Sequence, residues 1–141
     1  MDLVVVGSMG YDDIETPVAT GSDILGGSAV HAGVSASFHL PRTPEGICRV
    51  GMVAPVGMDF SDSHQRKLEE LGIDFSGVAK LPGKTFRWSG RYSGSMDNVE
   101  TISTEVNVLG DFSPEIPEQW RSPRVLFLSL IHISEPTRRV R

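Results

Sequence analysis

The chain has 141 residues, 39% hydrophobic and 22% charged, with a formal net charge of -5, so its length and composition are those of one ordinary globular domain able to bury a core. A single cysteine, Cys48, excludes an internal disulfide framework, and no apolar run reaches the length of a membrane span. Outside the last few residues there is no cluster of lysine or arginine, which argues against a nucleic-acid surface; no signal peptide precedes the first strand, so the cytoplasm is the expected compartment.

Taken in chain order, Leu3 to Val6 is a continuous apolar run closed by Gly7, the pattern of a strand covered on both faces in a parallel sheet. Gly26-Gly27 then opens a run of small residues, Ser28-Ala29-Val30-His31-Ala32-Gly33-Val34-Ser35-Ala36, and residues 28 to 39 read as a helix ended by Pro41. A second buried strand is predicted over residues 50 to 54. Ser61 or Asp62 caps a helix over 63 to 71, with Leu68 and Leu71 as its i, i+3 apolar pair, and Gly72 suits the left-handed position after its end. This βαβα series predicts an α/β fold with a parallel sheet and helices against it. From residue 83 the period changes to two. Phe86, Trp88 and Tyr92 alternate with Thr85, Arg87, Ser89 and Arg91, Gly90 interrupts the pattern, residues 93 to 98 supply turn chemistry, and residues 99 to 108 return as a second strand.

Two nucleotide motifs fail on spacing. Gly77 and Gly83 enclose five residues where a P-loop needs four, and Thr85 enters a strand pattern, not a helix. Gly7-Ser8-Met9-Gly10 lacks the Gly-x-Gly-x-x-Gly of a dinucleotide fold, which leaves a nicotinamide-dependent dehydrogenase as a remote alternative.

The order Gly7-Ser8-Met9-Gly10-Tyr11-Asp12, then Gly26-Gly27-Ser28-Ala29-Val30-His31-Ala32-Gly33, resembles the first signature of the ribokinase-like (PfkB) carbohydrate and nucleoside kinases, Gly-Ser-x-x-x-Asp followed by Gly-Gly-x-x-x-Asn-x-Ala. His31 stands where most members carry Asn. Val56-Gly57-Met58-Asp59 resembles the family's Val-Gly-x-Asp, and Leu68-Glu69-Glu70-Leu71-Gly72-Ile73-Asp74 its Leu-x-x-x-Gly-Ile-Asp, in family order. The resemblance implies the N-terminal portion of a ribokinase-like three-layer fold over residues 1 to 127, with a β lid at 83 to 108. It implies the substrate-binding and lid part of an enzyme that transfers the γ-phosphoryl group of ATP, with Mg2+, to a sugar or nucleoside hydroxyl. The family's catalytic base lies in a late Gly-Ala-Gly-Asp element that nothing after Phe127 supplies, so no catalytic residue and no metal ligand is expected here. This chain alone is expected to be inactive. A non-catalytic sugar-binding or interaction domain is the alternative from another class.

Asp12 is the leading candidate for ligand chemistry, because a carboxylate accepts from two adjacent hydroxyls with its two oxygens, as the resemblance implies for a sugar diol; the bland reading is an aspartate closing a loop. Asp13 is the one-residue alternative and points to the other side of the chain. Gly26, Gly27 and Ser28 are the candidate backbone contacts at the helix entrance. His31 is either a site residue or a packed helix residue, His39 a structural histidine, and Cys48 a packing residue in preference to a nucleophile. His31 and His39 are two turns apart, too far to chelate one ion unaided. Asp59 is expected to fix its loop and helix start. Phe86, Arg87 and Trp88 are the lid candidates for covering the substrate, with neither face of the strand preferred, and the lid also offers a surface for a homodimer.

Leu128-Ser129-Leu130-Ile131-His132-Ile133-Ser134-Glu135-Pro136-Thr137-Arg138 resembles the in-frame translation of a transposase sequencing adapter. On that reading residues 128 to 141 are non-native and are set aside from fold reasoning; the other reading is a strand over 125 to 133 with a basic tail.

Overall fold

A computed structural model describes residues 1–47 and 49–129, in which eight strands, two α-helices and two short 3-10 turns build two four-stranded sheets. The first sheet has the order β5-β4-β1-β8 and is parallel throughout, from β1 (Leu3–Val6), β4 (Val50–Val56), β5 (Ile73–Lys80) and β8 (Val125–Leu128). β1 and β4 are the central pair, and β4 is buried along its whole length, as its unbroken apolar run demands.

The alternation of side chains divides the core in two. Val5, Met52, Ala54 and Ile73 pack against the helices α1 (Ser28–His39) and α2 (Asp62–Glu70), through Ala29, Val30 and Leu68. On the opposite face Val4, Val6 and Val53 meet Phe112, directly after the 3-10 turn Asn107–Asp111, and Trp120, at the end of the turn Glu118–Trp120. So among the described residues helices lie on one face of this sheet, and two aromatic side chains close the other.

The second sheet has the order β3-β2-β6-β7, from β2 (Gly10–Glu15), β3 (Thr20–Gly26), β6 (Phe86–Ser93) and β7 (Asn98–Glu105). β2 and β6 run parallel in the middle, and each is flanked by an antiparallel edge strand. Here the sequence reading is corrected. The predicted series passed from β1 directly to α1, whereas the chain makes a β2–β3 hairpin on the way, and a strand β5 follows α2. The segment 10 to 26 mixes Gly, Asp, Ser and Thr with few apolar residues, because much of it lies in an exposed sheet and never shows a buried strand's signature. The predicted strand over 99 to 108 ends at Glu105 and passes into a 3-10 turn that buries Val108. Helix α2 is capped by Ser61, whose side chain accepts from the Ser63 amide, and Gly72 follows it at φ 92°.

At the edge of the first sheet, β8 pairs in register with β1, and the Ser129 amide donates to the Val6 carbonyl. Its four apolar side chains stay about half exposed, from 45% at Phe127 to 55% at Val125. The part of the predicted adapter tail beyond Ser129 lies outside the described residues, as does Cys48. No helix among the described residues is long and apolar enough to cross a membrane.

Candidate functional site

The first signature forms the junction between the two sheets, just beyond the carboxyl end of β1. Ser8 and Ser28 lock this junction reciprocally. The Ser8 amide donates to Ser28 Oγ at 3.1 Å, the Ser28 amide donates to Ser8 Oγ at 3.0 Å, and the Ala29 amide donates to the Ser8 carbonyl at 2.9 Å. Ser8 thereby performs the capping that Gly27, which has no side chain, cannot perform at the start of α1. Ser28 Oγ also donates to the Ser129 carbonyl at 3.0 Å, so its hydroxyl is engaged by the chain itself.

Pairing register sorts the remaining candidates by face. Asp12 pairs with Ile24 on one side and Trp88 on the other, and Gly10 pairs with Gly26 and Phe86. Successive side chains alternate between faces, so Asp12, Trp88 and Phe86 share one face of the second sheet. The two glycines are the floor of that face. A Cβ on Gly26 would collide with the Asp12 carboxylate, and one on Gly10 would stand 2.7 Å from the Phe86 ring. Burial pushes the Asp12 carboxyl above the usual value, and His31 draws it back. His31 is exposed on α1, as are Ser35 and His39, so neither histidine is a packed core residue.

Arg87 belongs to the other face. Its guanidinium bridges Asp13 at 3.0 Å and Asp23 at 2.7 Å and lies 5.5 Å from the centre of the Tyr11 ring. The expectation that Asp13 points away from Asp12 therefore holds, and the lid trio separates into Phe86 and Trp88 beside Asp12 and Arg87 behind them. Tyr11, which the sequence reading passed over, anchors this reverse face to the α/β body. Its hydroxyl accepts from the Ser61 amide at 2.9 Å and meets His64 Nδ1 at 3.1 Å, and its ring stacks with Phe60. Its aromatic placement between two aspartates and a glycine was a signal of burial, masked by polar neighbours.

Asp59 fixes its loop, as expected, but through the root of β6. Asp59 Oδ1 accepts from the Thr85 amide at 2.8 Å and the Thr85 hydroxyl at 2.7 Å, while Thr85 Oγ1 accepts from the Gly57 amide at 2.9 Å. Burial works against the Asp59 charge, yet the two Thr85 bonds outweigh it and hold the carboxyl below its ordinary value. Asp13 is also held low, by the Asp23 amide first and by Arg87. Folded carboxyls of this kind bind fewer protons than unfolded ones, so their stabilisation is present above the ordinary carboxylate range, about pH 4, and is lost as pH falls through the depressed values. Asp12, shifted upward, has the opposite sign. Asp59→Asn is accordingly expected to flatten the fall of Tm between pH 5 and 3, and an unchanged slope in a pH series of melts would refute its part in acid unfolding.

Comparison with family models and with curated proteins finds no match. Among solved structures, the chain is similar to ribokinase from Cryptococcus neoformans var. grubii serotype A in complex with ADP, at TM-score 0.71 and 12% identity over 98% of this chain and 44% of that one. A nucleoside kinase from Methanocaldococcus jannaschii matches at TM-score 0.64 and 15% identity over 91% of this chain and 44% of that one. The Burkholderia thailandensis nucleoside kinase in complex with inosine matches at TM-score 0.54 and 16% identity over 77% and 38%. The chain spans less than half the length of these proteins. A parallel sheet with a second sheet joined to it through the Gly-Ser and Gly-Gly elements, superimposing on these structures over 77% to 98% of the chain, is the ribokinase-like fold, and this chain has it.

Proposed function

We propose that the chain is the substrate-binding and lid part of an ATP-dependent kinase that phosphorylates a hydroxyl of a sugar or nucleoside. The observation that carries this reading is the Asp12 carboxylate, standing on a glycine floor beside Trp88 and Phe86 at the carboxyl end of a parallel sheet, where α/β folds bind ligands. Two carboxylate oxygens suit a pair of neighbouring hydroxyls, and an indole beside them suits the flat apolar side of a ring. His31 and the Gly26-Gly27 backbone border the same space. In this reading Arg87 and Ser28 act through the chain, by holding strands and the helix entrance in position.

ATP and Mg2+ belong to the whole enzyme. Among the described residues no group of three His, Cys, Asp or Glu is arranged to hold a metal ion. What this chain does in the proposed reaction is to bind and orient the acceptor. Residues 1 to 127 are read as its part of the domain, and a homodimer through the lid and a cytoplasmic location belong to the same proposal.

The test is Asp12→Asn in the chain joined to a complete C-terminal half. The substitution keeps the shape, removes the charge and turns one acceptor into a donor. Hydrogen bonds to charged groups are worth roughly 1.5–3 kcal/mol, which gives about a tenfold to hundredfold loss of affinity for the acceptor with ATP binding little changed. Unaltered acceptor titrations would overturn the assignment.

A further inference from the structure

The amino end of the parallel sheet, opposite the Asp12 site, carries a depression of about 740 Å³, walled by the segment between α1 and β4, the end of α2 and the start of β5. Ile73 and Phe75 of β5 make its floor apolar, and Ile47 stands at its rim, 56% exposed. Ile47 is held there firmly. Its amide donates to Thr43 Oγ1 at 3.1 Å, its carbonyl accepts from the Thr43 amide at 3.0 Å, and Arg42 donates to the Gly46 carbonyl at 3.2 Å and to the Leu71 carbonyl, just past α2, at 3.0 Å. A stapled turn thus presents an apolar side chain to water with little left to order on binding.

Charge is divided across this depression by element. The segment between α1 and β4 brings Arg42 and Arg49, and the end of α2 brings Glu69 and Glu70. Arg42 is used within the chain, whereas Arg49 is 51% exposed and reaches Asp2 only at 3.6 Å. Among the described residues Glu69 and Glu70 form no ion pair, and they stand at the carboxyl end of a helix, where the macrodipole disfavours negative charge. The monomer gains nothing from them there. Asp74, the remaining acid, is taken by the Ser76 amide at 2.8 Å and the Ser76 hydroxyl at 2.6 Å. A small anion drawn to Arg49 would face two glutamates, and a small cation would face the arginines. A copy of the same surface turned by a two-fold axis meets both, because an isologous interface sets each group against a different one on its partner, twice over.

We propose that this surface joins two copies of the chain about a two-fold axis, Ile47 of each entering the apolar floor of the other and Arg49 of each facing Glu69 and Glu70 of the other. The interface lies in the α/β body, at the far end of the parallel sheet from Asp12, so both Asp12 sites stay open. It is separate from any pairing through the lid, and the inference holds whatever ligand the site takes.

Sedimentation equilibrium of this chain over a concentration series is the measurement. A monomer–dimer equilibrium is expected. Arg49→Glu in one protein, and Glu69→Arg with Glu70→Arg in another, are each expected to weaken it about tenfold or more, since like charges then face each other. Mixing the two reversed proteins restores opposite charges at both contacts and is expected to give a heterodimer within a few-fold of the parent's affinity. Ile47→Asp, at an exposed position, is expected to weaken pairing as much as a reversal does while leaving Tm nearly unchanged. A chain that stays monomeric up to about 1 mM, the weak end of specific association, would overturn the proposal. So would association that these variants leave unaltered, whether through the β8 edge or the lid, or a mixture no tighter than either reversed protein alone. Should a reversal prevent folding, Ile47→Asp decides, and pairing equal to the parent's sinks the interface.

Discussion

Gly27→Val is expected to abolish cooperative folding. Gly27 has φ 102° and ψ 153°, in a region that is essentially restricted to glycine, and a side chain forced there costs of order 1–3 kcal/mol. Its Cβ would also run into the Ser8 carbonyl and stand 2.8 Å from Met9 Cα, and backbone at the end of β1 has nowhere to move. Overpacking of that sort adds about 1–3 kcal/mol, so a total near 4 kcal/mol removes most of the stability of a small domain. Gly46→Val is the comparison that separates the two causes, since Gly46 has φ 82° with open space around it. It is expected to lose only the conformational part, about 1–2 kcal/mol. Denaturant melts that put the two variants within error of each other would show that the contact with Ser8 and Met9 carries no weight. This result also revises the meaning of the glycine pair. At Gly26 the missing side chain makes room for the Asp12 carboxylate, whereas at Gly27 it lets α1 start against the β1 loop.

The two central strands of the parallel sheet were legible, because burial on both faces leaves a direct mark, whereas β5 was not. Leu3–Val6 and Val50–Val56 are unbroken apolar runs, and the helix over 28 to 39 and the strand pattern from residue 86 were readable from small-residue and period-two spacing. The hairpin β2–β3 was hidden because its stability comes from elsewhere. Tyr11 reaches into the body, Asp13 and Asp23 share one arginine, and the sequence between them reads only as polar. The same physics explains how the site was half legible. Asp12 and the two glycines stood out as a motif, but which of Phe86, Arg87 and Trp88 accompanies Asp12 depends on the register of β6 against β2, a non-local pairing that no local pattern encodes. Once the register is known, Arg87 turns from a lid residue into the brace behind it.

Trp120 carries the largest expected loss from a single truncation. It is 3% exposed and covers the face of the first sheet opposite the helices, in contact with the cluster of Val4, Val6, Val53 and Phe112. Its ring fits there because Gly51 on β4, and Gly77 on β5 opposite Val53, carry no side chain; a Cβ at these positions would come within 2.8 Å and 2.7 Å of it. Removing a buried tryptophan costs about 3–5 kcal/mol, so Trp120→Ala is expected to lower Tm by roughly 10–20 °C. The loss should extend to the segment that leads from β7 back to β8, since Phe112 and Trp120 pin it to the sheet. Val108, whose amide bonds the Lys84 carbonyl at the root of β6, lies on that segment. Gly51→Ala is expected to be harmful for the complementary reason, because a methyl pushes against a ring that the sheet cannot release. In the double variant the methyl meets the cavity that Trp120→Ala leaves, so the two losses should fall short of their sum by about 0.5–2 kcal/mol. Strict additivity in chemical denaturation, or a loss under about 1 kcal/mol for Trp120→Ala alone, would show that this face is not sealed by the indole.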